Sequence, residues 1–319
     1  MVLAAEIILS NTKKCPALGL GTWLSSPGQC AQAVEYAIKE GYRLIDAAWL
    51  YGNEKEVGEG VRKAIEEGLV KREELFITTK LWNTFHEKDQ VVPALKESLK
   101  NLGLDYVDLY LIHWPVAAQS VKGPIDINLP FKNTVIVDHD FCETWAGMEQ
   151  CVDLNLAKSI GLSNFNSKQI LRILEKARIK PVMNQIEVTP LLNQKKLTAF
   201  CKERGIAITA YSPFASPARP WKTTNDPAID FNDPQLVKIG QKYGKNSSQV
   251  ILRYLVQLGV IPIPKSENPA RIKQNIDIFD FKLTPEEMEI LDSYNQDFRA
   301  IGAEDLEESN DFPFRGVEF

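Results

Sequence analysis

The chain has 319 residues, 44% hydrophobic and 25% charged, enough apolar sequence for a large buried core. Its net charge of −5 gives no electrostatic reason to expect nucleic acid or an anionic membrane as a partner. No apolar run approaches spanning length, and five unpatterned cysteines (Cys15, Cys30, Cys142, Cys151 and Cys201) fit reduced thiols in a cytoplasmic protein. Residues 1–10 carry Glu6 inside a short apolar stretch and no basic start, so no signal peptide is expected there. With no long exposed apolar stripe, a monomer is the expected state.

In chain order, a small hairpin is expected over 6–16 and a first strand over 17–21. A helix (29–40) leads to strand 42–46, and a second (54–67) to strand 75–80. Helix 88–101 follows, with Val92, Leu95, Leu99 and Leu102 on one face at a 3.6-residue period. Strand 106–113, helix 141–153, strand 157–163, helix 167–177, strand 182–187, helix 193–204 and strand 206–211 continue the alternation. A helical stretch over 234–258, broken at Gly244, precedes strand 260–264 and helix 269–276. The strands are short, apolar and rich in Ile, Leu, Val and Tyr, as strands buried on both faces should be. Thr284-Pro285-Glu286-Glu287 is a capping box with proline at the first helical position, so one more helix is expected over 285–294.

Eight strand–helix alternations predict an α/β fold, a single closed (β/α)8 TIM barrel over 1–319. An open doubly wound sheet is the runner-up, but no Gly-x-Gly-x-x-Gly follows any early strand. The connections 114–140 and 213–232 and the tail 296–319 are too long for simple turns. Both connections follow a strand, so they belong on the C-terminal face, where such barrels keep their active sites.

Four polar residues fall at that face. Asp46, Lys80 and His113 each end an apolar strand, and Tyr51 follows Asp46 by five residues. Each taken alone is more often structural: a capping aspartate, a solvated lysine, a packed tyrosine, a satisfied histidine. Four together at the ends of three consecutive strands favour chemistry. A tyrosine's ordinary pKa is about 10. A cationic lysine beside it should favour the phenolate and lower that value, with Asp46 holding the lysine charged. The result is a phenol able to give a proton to a developing alkoxide, with His113 orienting a carbonyl. That chemistry is carbonyl reduction, and no residue is a hydride source, so a nicotinamide cofactor is required.

With these residues in view, the sequence resembles the aldo-keto reductase superfamily, its aldose/aldehyde reductase branch in particular, over essentially its whole length. The resemblance rests on Gly-Thr-Trp (21–23), Ile-Asp-Ala-Ala-x-x-Tyr-Gly-Asn-Glu (45–54), Thr-Lys-Leu-Trp (79–82), Leu-Ile-His-Trp-Pro (111–115), Gly-Leu-Ser-Asn-Phe (161–165), Asn-Gln-Ile-Glu (184–187), Ala-Tyr-Ser-Pro (210–213) and Ile-Pro-Lys-Ser (263–266). It implies one reductase barrel domain in which Tyr51 is the general acid, Asp46 and Lys80 tune it, and His113 orients the carbonyl. A branch that reduces steroid carbon–carbon double bonds has glutamate at the histidine position, so His113 argues against that activity.

The resemblance also implies NADPH/NADP⁺ extended across the barrel mouth. Ser163, Asn164 and Gln185 would hold the carboxamide, and Tyr211 would stack on the nicotinamide. Gly21, Thr22, Asp46, Ser212, Phe214 and Ser216 would line the rest of the cleft. Lys265, Ser266, Asn268, Arg271, Gln274 and Asn275 match the adenosine-phosphate end. Independently, Asn268-Pro269 reads as an N-cap and first helical position flanked by two cations, a ready phosphate site. Trp23, Leu50, Trp82, His113, Trp114, Trp221, Phe298 and Ile301 would form an aromatic and aliphatic pocket that favours hydrophobic or aromatic carbonyls over free sugars.

The sequence departs from the family at three places. Leu24 and Ala218 stand where aldose reductase has a lysine and an aspartate that help strap the pyrophosphate, and Trp49 replaces a common histidine. The expected activity is NADPH-dependent reduction of a small aldehyde or ketone. The alternatives are a dedicated ketosteroid, prostaglandin or isoprenoid reductase, or a non-catalytic relative on the same scaffold. Three scattered histidines offer no ligand cluster for a metal-dependent hydrolase.

Overall fold

The computed structural model describes residues 4–119 and 125–316; 120–124 of the expected loop 114–140, and the two chain ends, lie outside them. Strands β1 (Glu6–Ile8) and β2 (Lys14–Pro16) form the expected antiparallel hairpin. The alternation then runs β3 (Gly19–Gly21), α1 (Cys30–Glu40), β4 (Leu44–Asp46), α2 (Glu54–Glu66), β5 (Phe76–Leu81), α3 (Lys88–Leu102), β6 (Leu109–Ile112) and α4 (Phe141–Asp153). It continues with β7 (Ile160–Ser163), α5 (Ser167–Lys176), β8 (Met183–Glu187), α6 (Lys195–Glu203) and β9 (Ala207–Tyr211). Helices α7 (Pro234–Tyr243) and α8 (Ser247–Gln257) precede β10 (Ile261–Pro262), α9 (Pro269–Ile276) and α10 (Pro285–Asp292).

Strands β3 to β10 pair in sequence order, all parallel. A bridge between Gly21 and Lys265 joins the two edges, with Gly21 N donating to Pro264 O at 3.1 Å. A Cβ on Gly21 would stand 2.7 Å from Ile263 O, so only glycine lets the edges meet there. The result is the expected (β/α)8 barrel.

Several strands are shorter than their apolar runs. Tilted barrel strands overlap their neighbours only in a short band. At the entry to β6 a side chain takes part in the pairing: Asp108 Oδ2 accepts from Ile77 N at 2.9 Å and from Arg72 at 2.8 Å.

The core has two layers. Leu44, Phe76, Leu109, Met183 and Ile261 fill the barrel interior, and Leu9 and Cys15 of the hairpin plug its N-terminal end. A larger shell lies between sheet and helices. On α3 the buried stripe is Val91, Ala94, Leu95, Leu99 and Leu102, so the expected Val92 lies at its margin. The expected break at Gly244 is a left-handed C-cap (φ 67°), and the Thr284–Glu287 capping box forms. No helix among the described residues is long and apolar enough to cross a membrane.

A third apolar cluster covers the C-terminal mouth: Leu50, Trp82, Trp114, Val116, Phe131, Ile301, Ala303, Leu306 and Phe312. It joins the loop after β6 to the C-terminal tail. The tail is pinned to the barrel. Glu187 accepts from the backbone N–H groups of Ala300 and Ile301, both at 3.0 Å. On α5, Gln169 donates to Asp311 O (2.8 Å), and Arg172 pairs with the Asp311 carboxylate (2.7 Å).

Candidate active site

Lys80 sits in β5 with no exposed surface, so its ammonium must be satisfied internally. It donates to Asp46 Oδ1 at the end of β4 (2.5 Å), to Ala47 O (3.0 Å) and to the Tyr51 hydroxyl (3.1 Å). Tyr51 ends a 3₁₀ turn, Trp49–Tyr51, that follows β4. Its ring lies edge-on to His113, centroids 5.8 Å apart, and His113 packs likewise on Trp82 at 5.3 Å. His113 leaves β6 and donates its backbone N–H to Leu81 O at 3.1 Å. The three strand ends therefore bring together all four residues expected from the sequence.

Asp46 Oδ2 accepts from Gln185 Nε2 of β8 at 2.7 Å. This contact across the barrel fixes the carboxylate and was not foreseen. Glu54, buried at the start of α2, accepts from Thr79 Oγ1 (2.7 Å) and Asn101 (3.2 Å).

Burial is the largest cause of each shift in acidity. It pushes the Tyr51 phenol well above its ordinary range, helped by the Asp46 charge. This reverses the direction expected from Lys80 alone: in the resting site desolvation prevails. Burial lowers Lys80, opposed by Asp46. It pushes His113 well below its usual range, helped by the Lys80 charge. At neutral pH the phenol thus carries its proton and the imidazole is uncharged.

Asp46, Tyr51 and His113 border a cleft of about 760 Å³, within the range of small-molecule sites, and Lys80 lies buried behind Tyr51. Gly21, Thr22, Asp46, Ser163, Asn164, Gln185, Tyr211, Ser212, Phe214, Ser216, Lys265, Ser266, Arg271, Gln274 and Asn275 all line it. Asn268 does not; its side chain caps α9 by accepting from Arg271 N at 3.0 Å. The amide residues are already ordered: Asn164 accepts from the Tyr211 hydroxyl (2.7 Å) and donates to His113 O (2.9 Å). Leu24, Asn164, Ser212, Ala215 and Ser216 have left-handed backbones, φ between 41° and 64°. Such strain in non-glycine residues persists where surrounding structure enforces it, often beside functional sites.

Of the expected pocket residues, Trp23, Leu50, His113, Trp114, Trp221 and Ile301 line the cleft. Trp82 and Phe298 do not. Trp82 lies behind His113, stacked on Phe131 (5.7 Å), and Phe298 sits under the Arg219 guanidinium (5.5 Å). Asn128, Pro130 and Phe131 of the long loop line the cleft instead; only the aromatic character of Phe131 hinted at this. Trp49 faces away, packed on Phe85 and donating to Glu97 at 2.9 Å.

Leu24 and Ala218 both border the cleft and cannot form an ion pair across it. The two flanking loops meet instead through Trp23 and Trp221, ring centroids 5.9 Å apart. Trp221 also donates to Ala300 O at 3.0 Å. Arg219 folds the second loop on itself through Asp226 and the carbonyls of Ala215 and Ser216.

A closed parallel barrel with a buried, hydrogen-bonded Asp–Lys–Tyr chain and a histidine beside one cleft fits an oxidoreductase class, and comparison with known proteins agrees. The sequence model described as the Aldo/keto reductase family matches residues 17–296, and the chain belongs to that family. It is 48% identical over 303 residues to Aldo-keto reductase family 1 member A1-A of Danio rerio, covering 94% of this chain and 92% of that one. It is 47% identical over 318 residues to the aldo-keto reductase AKR2E4 of Bombyx mori, covering 98% and 99%. The crystal structure of AKR2E4 in complex with NADP superposes with a TM-score of 0.91, covering 98% of this chain and all of that one.

Proposed function

We propose that this chain reduces aldehydes and ketones to alcohols with NADPH, with Tyr51 as general acid and 1–319 acting as one barrel domain. The observation that carries this reading is the Lys80 ammonium held between Asp46 (2.5 Å) and the Tyr51 hydroxyl (3.1 Å) at the cleft. The cofactor is supported by the solved relatives, which include complexes with NADP and NADPH, and by a cleft basic at one end and amide-lined near the catalytic residues.

Ser163, Asn164 and Gln185 would hold the carboxamide, and the Tyr211 ring would support the nicotinamide. Lys265, before α9, and Arg271, in its first turn, would take the 2′-phosphate. When bound, NADPH supplies the hydride. Neutral His113 orients the carbonyl oxygen toward Tyr51. The Tyr51 hydroxyl gives its proton to that oxygen as negative charge develops, and Lys80 stabilises the phenolate left behind. Trp23, Trp114, Trp221, Leu50, Phe131 and Ile301 exclude water and favour hydrophobic carbonyls over sugars.

NADPH oxidation across aromatic aldehydes, free sugars and ketosteroids tests the activity and its range. Tyr51→Phe should lower kcat by about 10²- to 10⁴-fold while NADP⁺ binding, read by fluorescence titration, stays nearly unchanged. A variant with wild-type kcat removes Tyr51 from the role of acid.

A further inference from the structure

The phosphate end of the cleft contains an acid. Glu267 lies two residues beyond Lys265 and lines the same cleft. Its Oε1 is 3.1 Å from Lys265 Nζ and accepts from Ser26 N at 2.5 Å. Its Oε2 accepts from Ser26 Oγ at 3.3 Å. The carboxylate thus links the loop after β3 to the loop after β10, the two segments flanking the barrel seam. Its side chain is 23% exposed, so its charge is only partly screened. Ser26 and Lys265 hold it ionised, keeping its pKa below the ordinary range against the opposing effect of burial.

This placement matters for the choice between nicotinamide cofactors, and the inference rests on the reading of Lys265 as a 2′-phosphate ligand. A phosphate monoester carries about −1.5 to −2 charges at neutral pH. Approaching Lys265, it meets a carboxylate already on that ammonium. Either the phosphate shares the lysine with a like charge, or Glu267 leaves and gives up its bonds to Ser26. Both costs fall only on the phosphorylated cofactor. A cofactor with a free 2′-hydroxyl meets an intact ion pair, and its hydroxyl can donate to the carboxylate.

We propose that Glu267 is a built-in competitor of the 2′-phosphate. It narrows the preference for NADPH over NADH below what Lys265 and Arg271 would set alone, and so determines cofactor specificity.

The test uses the full chain and dissociation constants for NADP⁺, NAD⁺ and 2′,5′-ADP measured by calorimetry at low salt. Glu267→Gln keeps the side chain's shape and removes its charge. NADP⁺ and 2′,5′-ADP should bind about tenfold tighter, since like-charge juxtaposition is costly, while NAD⁺ stays unchanged or weakens. The gain should shrink as salt rises. The inference is overturned if both dinucleotides change by one factor, or if NADP⁺ alone weakens, which would make Glu267 a support for Lys265. Lys265→Met separates the two readings. If it collapses the NADP⁺/NAD⁺ ratio while Glu267→Gln leaves the ratio alone, only Glu267 has been misread. If it leaves the ratio unchanged, Lys265 is not the phosphate ligand, and both readings fall.

Discussion

A lysine without exposed surface, holding an acid and a phenol at once, puts stability and the proposed proton transfer on one side chain. Lys80→Met should lower turnover by about 100-fold or more, because the phenolate left after proton transfer loses its neighbouring charge. It also strands the Asp46 carboxylate, leaving Gln185 as its side-chain partner, and breaking a buried pair costs about 3–5 kcal/mol. Adding Asp46→Asn removes the stranded charge. The double variant should recover most of the stability and none of the turnover, read from urea midpoints and kcat. A double variant as unstable as the single one would mean that the pair's charge is not what Lys80 contributes. The four candidate catalytic positions were legible because three apolar runs end in Asp46, Lys80 and His113 and Tyr51 follows Asp46 by five residues. Gln185 was legible only through the family resemblance, and its bond to Asp46 was not, because that contact crosses the barrel interior. The direction of the Tyr51 shift was misjudged because desolvation depends on how completely neighbouring loops close the site.

At the scale of elements, the tail after α10 is held by contacts that no local pattern announces. The sequence reveals the length of a long loop but not its path, which is set by single long-range bonds such as Glu187 to Ala300 and Ile301. Short capping motifs are the opposite case: Asn268-Pro269 and Thr284–Glu287 act within one turn and were readable. Glu187 has no exposed surface, and both its oxygens are engaged by tail amides. Glu187→Gln presents an NH₂ group to one of those N–H donors, at a cost of about 1–3 kcal/mol. The tail carries Ile301 to the cleft, so KM for hydrophobic carbonyls should rise while kcat largely persists. Hydrogen exchange at residues 300 and 301 should accelerate. Unchanged exchange there would show that the tail is held elsewhere.

For the whole molecule, acid sensitivity follows from a second buried histidine. Burial and the nearby His139 push His86 down to about 3, and neither of its ring nitrogens has a hydrogen-bond partner among the described residues. Unfolded, the ring titrates near its ordinary value of about 6.5. Between those two values the unfolded chain binds a proton that the folded chain refuses. Stability should therefore fall as pH drops below about 6.5, by roughly 1.4 kcal/mol per unit from this ring, with no such effect above that pH. His86→Phe removes the titration and keeps an aromatic ring in place. Its stability relative to the parent, from urea unfolding, should be about 2 kcal/mol more favourable at pH 5 than at pH 8. The same difference at both pH values would show that His86 does not remain neutral.

The seam at Gly21 and Lys265 also orders events in time. It joins the first barrel strand to the segment just after the last across about three-quarters of the chain, and contacts of such separation form slowly because the loop-closure entropy must be met first. Both residues border the cleft proposed for the dinucleotide, so a chain with seven pairings made and the eighth open has no complete cleft. On refolding, helical circular dichroism should return before NADP⁺ fluorescence quenching, and the lag between them should measure ring closure. During synthesis the dinucleotide can stabilise nothing until residue 265 has emerged. After closure, ligand that binds only the completed ring adds its binding free energy to the folded state. Dinucleotide supply would then govern how long the finished ring persists.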